Sequence, residues 1–380
     1  MKNPIHLTGG AVPARRRKNR IFCMEFLYTA APLVRVARGN ARRNALSRHR
    51  RGHVRARPGA ASAPVLAVLD LGSNNCRLLI ARPTARDEFR IVDSFSRIVR
   101  LAEGVAATGR LSEAAMARTI AALKICAEHI REKGATHVRA IATAAARAAS
   151  NTAQLIDRVR AETGIVLEIV SSDEEARLAA IGCAPLVGAR YDGALVFDIG
   201  GGSTELIWLR RENGEMKTLH ASSTPVGVVT LAEDIAHVAM DSASFDAMRA
   251  RMIARFATVR EEMDALMAFS RDAHHLLGTS GTVTTLAAVS MGLDRYIRSR
   301  VDGSWHDCTE ILAVVDRLIA LDHAGRASLG PVGPDRADLV LPGCAIFAAI
   351  HALWPCEKLR VADRGLREGM LRELMLEAGR

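Results

Sequence analysis

The sequence reads as an α/β protein made of two related domains, and three observations carry that reading. From Pro64 onward, apolar runs of strand length alternate with helical patterns, as parallel sheets covered by helices require. The strand–turn–strand pattern that opens this region returns once, further along the chain. The 380 residues also exceed the ~250–300 at which a single hydrophobic core stops growing.

Val65–Asp70 and Cys76–Arg82 read as buried strands joined by a turn over residues 71–75, and Phe89–Leu101 as a further strand with its exit. A helix is expected from Ser112, a capping residue, to Lys133, with Gly134 as its stop. A strand at Val138–Ala142, a helix at Asn151–Glu162 ended by Gly164, and a strand at Ile165–Val170 come next. The order then restarts with Ala194–Asp198, a glycine turn over residues 199–204, Glu205–Arg210 and Met216–Ser222. An offset of 128 residues superposes Asp70 on Asp198, Gly72 on Gly200 and Leu78 on Leu206. Helices are expected at Ser244–Ala268, Thr282–Val289, His306–Leu321 and Asp335–Ala352, then a strand at Lys358–Val361 and a closing helix from Gly365 to Glu377. The expected division is a leader over 1–62, a first domain over 63–178 and a second over 179–364, with the closing segment 365–380 packing back on the first.

The formal charge of +11 is concentrated in the leader, where 13 Arg and 2 Lys stand against the single acid Glu25. The remainder carries a net −3. The leader reads as a disordered basic tail or an alternative translation start, and a nucleic-acid or anionic-surface role would rest on it alone. Seven scattered cysteines without a C-x-x-C pair exclude a disulfide framework or a zinc site and suit a reducing compartment. No stretch approaches the ~18 apolar residues of a membrane span, the best candidate, 21–37, being broken by Glu25 and Arg35. The expected location is the cytoplasm.

Chemistry is expected at the two aspartate–glycine turns. Each puts a carboxylate, Asp70 or Asp198, at a strand end beside a loop that can offer backbone N–H groups to an anion: Gly72, Ser73 and Asn74 in one, Gly200, Gly201, Gly202, Ser203 and Thr204 in the other. Facing one another, the loops would clamp a polyanion, and the aspartates would hold Mg²⁺ directly or through its waters. The halves differ at one matched position, Arg77 against Glu205, so one wall would bind phosphate and the other bind metal or orient water. In Ser171–Arg177, Glu175 shares a helical stripe with Leu178, Ala179 and Gly182 and should point inward, a candidate general base, while Asp173 pairs outward with Arg177. Arg147, the one charge among small residues after a strand end, suits a phosphate. Ser280, Gly281 and Thr282 open a helix after a strand, the layout for phosphate at a helix N-terminus. The adjacent His274 and His275 read as structural or surface residues. Ser-His-Asp, Cys-His and H-E-x-x-H groupings are absent.

Taken in order, Asp70-Leu-Gly-Ser-Asn74, Arg147 with Asn151, Glu174-Glu175-Ala-Arg-Leu178, Asp198-Ile-Gly-Gly-Gly-Ser-Thr-Glu205, Ser280-Gly-Thr282, Arg336-Ala-Asp338 and Gly365-Leu-Arg-Glu-Gly369 resemble one family, the exopolyphosphatases and guanosine-pentaphosphate phosphohydrolases, from about Val65 to Met370. The resemblance implies two ribonuclease-H-like domains of the actin-like ATPase and sugar-kinase superfamily with a cleft between them. It implies that Glu175 is the catalytic base, that Asp198 and Glu205 position metal and water, that Arg147 binds phosphate, and that residues 72–74 and 200–204 are phosphate loops. Together with Asp70, Asp198 and Glu205 would form the Mg²⁺ site. The implied reaction is in-line attack by a Glu175-activated water on the terminal phosphorus of inorganic polyphosphate, with guanosine pentaphosphate as the alternative substrate. A homodimer is implied as well. Asn75 stands where the family usually has Ser, the sequence ends at Arg380 without the extra helical domain of longer members, and the Arg-rich leader has no counterpart. A non-hydrolytic polyphosphate or nucleotide sensor would not need Glu175 beside both aspartates. An actin-like ATPase or sugar kinase would not carry the Glu-Glu-Ala-Arg block.

Overall fold

The computed structural model describes residues 63–85, 88–234, 241–266 and 269–379. The basic leader, and the last two residues of the helix expected at 244–268, lie outside the described residues.

Strand β1 (Leu66–Leu71), apolar on both faces, forms the middle of a five-stranded sheet. It pairs antiparallel with β2 (Asn75–Ala85), which pairs antiparallel with β3 (Glu88–Ile98). After α1 (Val105–Thr108) and α2 (Glu113–Glu132), β4 (His137–Ala142) lies parallel to β1 on its other side. Helices α3 (Ala144–Ala148) and α4 (Thr152–Thr163) lead to β5 (Leu167–Ile169), giving the order β3-β2-β1-β4-β5. Ser112 caps α2 by accepting a hydrogen bond from the Ala115 N–H at 3.1 Å, and Gly134 and Gly164 end α2 and α4 with positive φ, as the sequence predicts.

Helix α5 (Ser172–Cys183) then leads to a second sheet of the same plan. It is built from β6 (Gly193–Ile199), β7 (Thr204–Glu212) and β8 (Glu215–Thr224), followed by α6 (Val228–Asp234), α7 (Ser242–Leu266), β9 (His274–Thr279), α8 (Ser280–Ser290), α9 (Arg298–Val301), β10 (Trp305–Asp307), α10 (Cys308–Ala320), α11 (His323–Ser328), α12 (Val340–Leu353) and β11 (Lys358–Ala362). The order β8-β7-β6-β9-β11 repeats that of the first sheet, and β10 is added beyond β11. The fold is therefore the duplicated ribonuclease-H-like α/β arrangement. The closing helix is α13 (Leu366–Glu377).

The two linking helices exchange partners. Ala176, Ala179, Ala180 and Cys183 of α5 enter the core of the second sheet with Val196, Ile207 and Leu277. Leu366, Met370, Leu371 and Leu374 of α13 pack on Leu66, Val68 and Leu79 of the first. Between the sheets the helices touch so closely that a Cβ at Gly182 would lie 2.0 Å from the Gly365 carbonyl oxygen. The expected division between 178 and 179 runs through the middle of α5.

Other differences have local causes. His306 and Asp307, expected to begin a helix, belong with Trp305 to β10, which pairs antiparallel with β11, so α10 starts at Cys308. Residues 335–339 form a turn, and the helix expected from Asp335 begins at Val340. Asp173 is exposed and does not pair with Arg177, because α13 offers Glu373 on the side where Arg177 also reaches Glu174 at 2.7 Å. His274 and His275 are both buried and structural, the Gly188 N–H donating to His275 Nε2 at 3.1 Å. The six described cysteines are buried and free.

Candidate active site

The two hairpin loops meet at the cleft between the sheets. In the first the Gly72 N–H donates to the Asn75 carbonyl at 2.9 Å, and in the second the Gly200 N–H donates to the Ser203 carbonyl at 2.9 Å. The same turn is thus closed at the same offset of 128 residues. The loops press together: a Cβ on Gly201 would stand 2.9 Å from the Asn74 nitrogen and 3.0 Å from the Ser73 Cβ, so this contact needs glycine. Ser73 Oγ, Asn74 Oδ1 and Asn75 Oδ1 are buried with no hydrogen-bond partner among the described residues. An unsatisfied buried polar group costs about 1–3 kcal/mol. Three in succession on one loop mark a place where a polar ligand completes the structure.

The lining of the pocket between the loops includes Asp70, Asp198 and Glu175, residues 72–74 and 200–203, Ser280, and Arg77 and Arg367. Glu175 rises into it from the first turn of α5, which Ser171 caps by accepting from the Glu174 N–H at 3.1 Å. Burial pushes the Glu175 carboxyl up to about 7; Arg147 opposes that shift, and Asp70 and Asp198 add to it. Asp70 is pushed up to about 6 by burial, against the pull of Arg77 and Arg367. Asp198 is raised by burial and held partly down by Arg77 and by a hydrogen bond from Ser280. To place that hydroxyl, Ser280 adopts φ 76°, a left-handed conformation that costs a serine ~1–2 kcal/mol.

Several of the residues singled out in the sequence stand elsewhere than the pocket lining. Arg147 reaches Glu175 Oε2 from its Nη1 at 2.8 Å and the Val170 carbonyl at 3.0 Å, so it grips the candidate base. Glu205 lies behind Asp198, its neighbour across the β6–β7 hairpin, and is 2 % exposed. It accepts from Ser223 Oγ at 2.8 Å, and burial, with Glu175 and Asp198 adding to it, raises its pKa well above the usual carboxylate value. Thr204 turns its hydroxyl to the Val226 carbonyl at 2.7 Å. Thr282 lines a side pocket with Arg336 and Val340, and Gly281 lies at the mouth of the site.

Among the described residues no group of three or more His, Cys, Asp or Glu side chains is placed to hold a metal ion on its own. Buried carboxylates with raised proton affinity nevertheless fit a divalent cation. Mg²⁺ keeps most of its waters and takes one or two protein carboxylates together with substrate phosphates, so it needs no cage made of protein alone.

The pocket between the loops opens into a groove whose lining includes Arg77, Arg97, Arg100, Arg118, Arg298, Arg336 and Arg367. Sequence reasoning assigned no role to most of these. Arg97 comes from the end of β3, Arg100 from the segment just after it, Arg118 from α2, Arg298 from α9, Arg336 from the turn before α12 and Arg367 from α13. The Gly365–Gly369 motif was the one signal that pointed toward Arg367. Among the described residues no helix is long and apolar enough to cross a membrane.

The profile of the Ppx/GppA phosphatase family matches residues 79–378. The chain is 33% identical over 296 residues to exopolyphosphatase 2 of Mycobacterium tuberculosis, covering 74% of this chain and 88% of that one. It is 29% identical over 315 residues to the guanosine-5'-triphosphate,3'-diphosphate pyrophosphatase of Aeromonas hydrophila, covering 83% of this chain and 60% of that one. The crystal structure of the Aquifex aeolicus Ppx/GppA family member superposes with a TM-score of 0.67 at 28% identity, over 83% of this chain and 99% of the other. The chain belongs to the Ppx/GppA phosphatase family.

Proposed function

We propose that this Ppx/GppA phosphatase is an exopolyphosphatase that removes terminal phosphates from inorganic polyphosphate with Mg²⁺. The observation that carries the choice of substrate is the continuity between the acid-lined pocket and the arginine-lined groove. A polyanion of repeating phosphates would lie along the groove with its last unit between the loops. A monophosphate would leave the groove unused.

The terminal phosphoryl group sits against the N–H groups and hydroxyls of residues 72–74 and 200–203, which are fixed before substrate arrives and so stabilise the charge spread over its oxygens. Glu175, which burial pushes up toward neutrality, accepts a proton from the attacking water. Arg147 holds Glu175 in place. The water oxygen bonds to the terminal phosphorus as the bridging P–O bond breaks, and the electron pair leaves with the shortened chain. Asp198, backed by Glu205, orients the water. Mg²⁺, held by Asp70 and Asp198 together with phosphate oxygens, would neutralise charge on the transferred group.

The rival substrate is guanosine pentaphosphate, whose guanine base would stack on an aromatic ring or a guanidinium plane. The groove offers Tyr296 and Phe95, with Arg97 over the Phe95 ring at 5.3 Å. The test is phosphate release by the wild type and Glu175→Gln from long-chain polyphosphate or guanosine pentaphosphate, with and without Mg²⁺. Faster Mg²⁺- and Glu175-dependent release from polyphosphate is the expected result. Preference for the nucleotide would transfer the proposal to the rival substrate, and no release from either would leave a sensor.

A further inference from the structure

Of the seven arginines lining the groove, five are occupied. Arg100 pairs with Asp338 at 3.1 Å, Arg118 with Glu103 at 2.5 Å and Arg298 with Glu368 at 2.9 Å. Arg336 donates to Thr285 Oγ1 at 3.2 Å, and Arg97 covers the Phe95 ring. Arg77 and Arg367 make no hydrogen bond, ion pair or ring contact among the described residues. These same two line both the groove and the reaction pocket, whereas Glu175 lines the pocket alone.

Their placement is unfavourable in the empty protein. Arg367 is the second residue of α13, in the first turn, where the helix dipole is positive and repels a cation. It is partly buried, which lowers its pKa, and Arg77 lowers it further by repulsion while Glu368, Asp363 and Asp70 oppose the shift. Arg77 stands directly across the β1–β2 hairpin from Asp70. Two partly buried guanidinium groups near one another, neither hydrogen-bonded to the carboxylates around them, are stabilised by an anion that both can fork onto.

We propose that Arg77 and Arg367 form a clamp on the phosphate adjacent to the bond being cut, and that this clamp makes the site select condensed phosphates over isolated ones. The inference deepens the exopolyphosphatase reading and rests on it for the identity of the leaving group. When the terminal P–O bond breaks, the leaving oxygen belongs to that adjacent phosphate and gains negative charge. Guanidinium donors already aimed at it stabilise that charge as it develops. A single orthophosphate seated between the loops brings no second phosphate for the clamp to fork onto.

The test uses full-length protein in two steps. In the Glu175→Gln background, calorimetry measures tripolyphosphate and orthophosphate binding with and without Arg77→Gln, Arg367→Gln or Arg367→Lys. Removing either guanidinium should weaken tripolyphosphate binding about 10-fold to 100-fold, as loss of charge-assisted hydrogen bonds implies, with orthophosphate binding changed less than about twofold. Arg367→Lys should fall between, because it keeps the charge and loses the fork. In the active protein the same substitutions should lower kcat/KM on tripolyphosphate by a similar factor. Thermal unfolding supplies a readout that a structural role would move the other way: Tm should stay constant or rise in Arg367→Gln, since a repelled cation has been removed. Equal loss of tripolyphosphate and orthophosphate binding, or a wild type that hydrolyses polyphosphate beside variants within twofold of it, would overturn the clamp and leave the hydrolase reading standing. A wild type that binds tripolyphosphate through the clamp but releases no phosphate would overturn the hydrolase reading instead.

Discussion

In the first hairpin Asp70 stands across from Arg77, and in the second Asp198 stands across from Glu205. The backbones match down to the hydrogen bond that closes each turn, yet the charge opposite the retained aspartate is reversed. Across an antiparallel pair such neighbours share a face, and Arg77 also reaches across the cleft to hold Asp198 partly down. Arg77 restrains the rise in Asp70, which reaches about 6, while Asp198 adds to the rise in Glu205. The duplication supplies a symmetric cradle for phosphate, and the reversed charge divides the labour within it. In the proposed reaction the first wall, which faces the groove, would hold anion, and the second, where carboxylates concentrate, would handle water and metal.

The sharpest test of this division is Glu175→Gln. The side chain keeps its size and cannot accept the proton, so kcat on polyphosphate should fall about 10²–10⁴-fold with KM changed only a few-fold. Asp173→Asn, two residues earlier and exposed, should leave both parameters within twofold. Equal losses in the two variants would mean that the acidic first turn of α5 acts through helix stability alone.

Next in size are the hairpin partners themselves. Glu205→Gln should act mainly on kcat, by about 10-fold or more, because the residue supports Asp198 and lies outside the pocket lining. Arg77→Gln should act on kcat/KM for condensed phosphates. The double exchange Arg77→Glu with Glu205→Arg preserves the total charge and should still be inactive, since the groove leads away from the first wall only. Activity near wild type in the exchanged protein would show that the two walls are interchangeable. Steady-state kinetics on tripolyphosphate decides each case.

Much of this contrast was legible in the sequence, because it is local. The paired loops, the Arg77–Glu205 mismatch and the inward face of Glu175 follow from spacing of 128 residues, from period 2 in strands and from 3.6 in helices. The features that were not legible depend on distant chain segments meeting. Arg147 was expected on phosphate from its setting alone, and its position 2.8 Å from Glu175 is a contact between α3 and α5 that no periodicity encodes. Thr204 looked like one more loop hydroxyl, but β7 has already begun there and turns it toward Val226. The groove is the extreme case, since its arginines are scattered from β2 to α13. The helix start expected at His306 failed differently: the three-residue strand Trp305–Asp307 is too short to interrupt the helical pattern that Cys308–Ala320 carries directly after it.

Arg147 offers a smaller, diagnostic effect. In kcat/KM the ascending limb should lie near pH 7, because Glu175 must be ionised to accept a proton and burial holds its pKa there. Arg147 lowers that pKa by its charge and hydrogen bond. Removing it in Arg147→Gln should move the limb to higher pH, with activity recovering in alkaline buffer. A phosphate-binding role alone would raise KM at every pH and leave the limb in place. The pH–rate profile separates the two.

The smallest expected effect concerns stability, and its sign follows from proton affinity. Glu175, Asp70 and Glu205 hold protons more tightly folded than unfolded, so the folded state binds more protons between their ordinary values and their raised ones. Their contribution to stability is fully present below about pH 4, where both states are protonated, and is lost as pH rises through the folded pKa values. For each such group the slope is about 1.4 kcal/mol per pH unit inside that window. Glu205→Gln removes one of these groups while keeping a partner for Ser223, so denaturant unfolding should show it more stable than wild type at pH 8 and nearly equal at pH 4. Arg77→Gln should do the reverse on the other wall. Without its cation, Asp70 resists ionisation further, and the stability lost between pH 4 and 8 grows. Opposite changes from the two hairpin partners would show that the reversed charge is what distinguishes the walls; changes of the same sign would show that burial alone governs both.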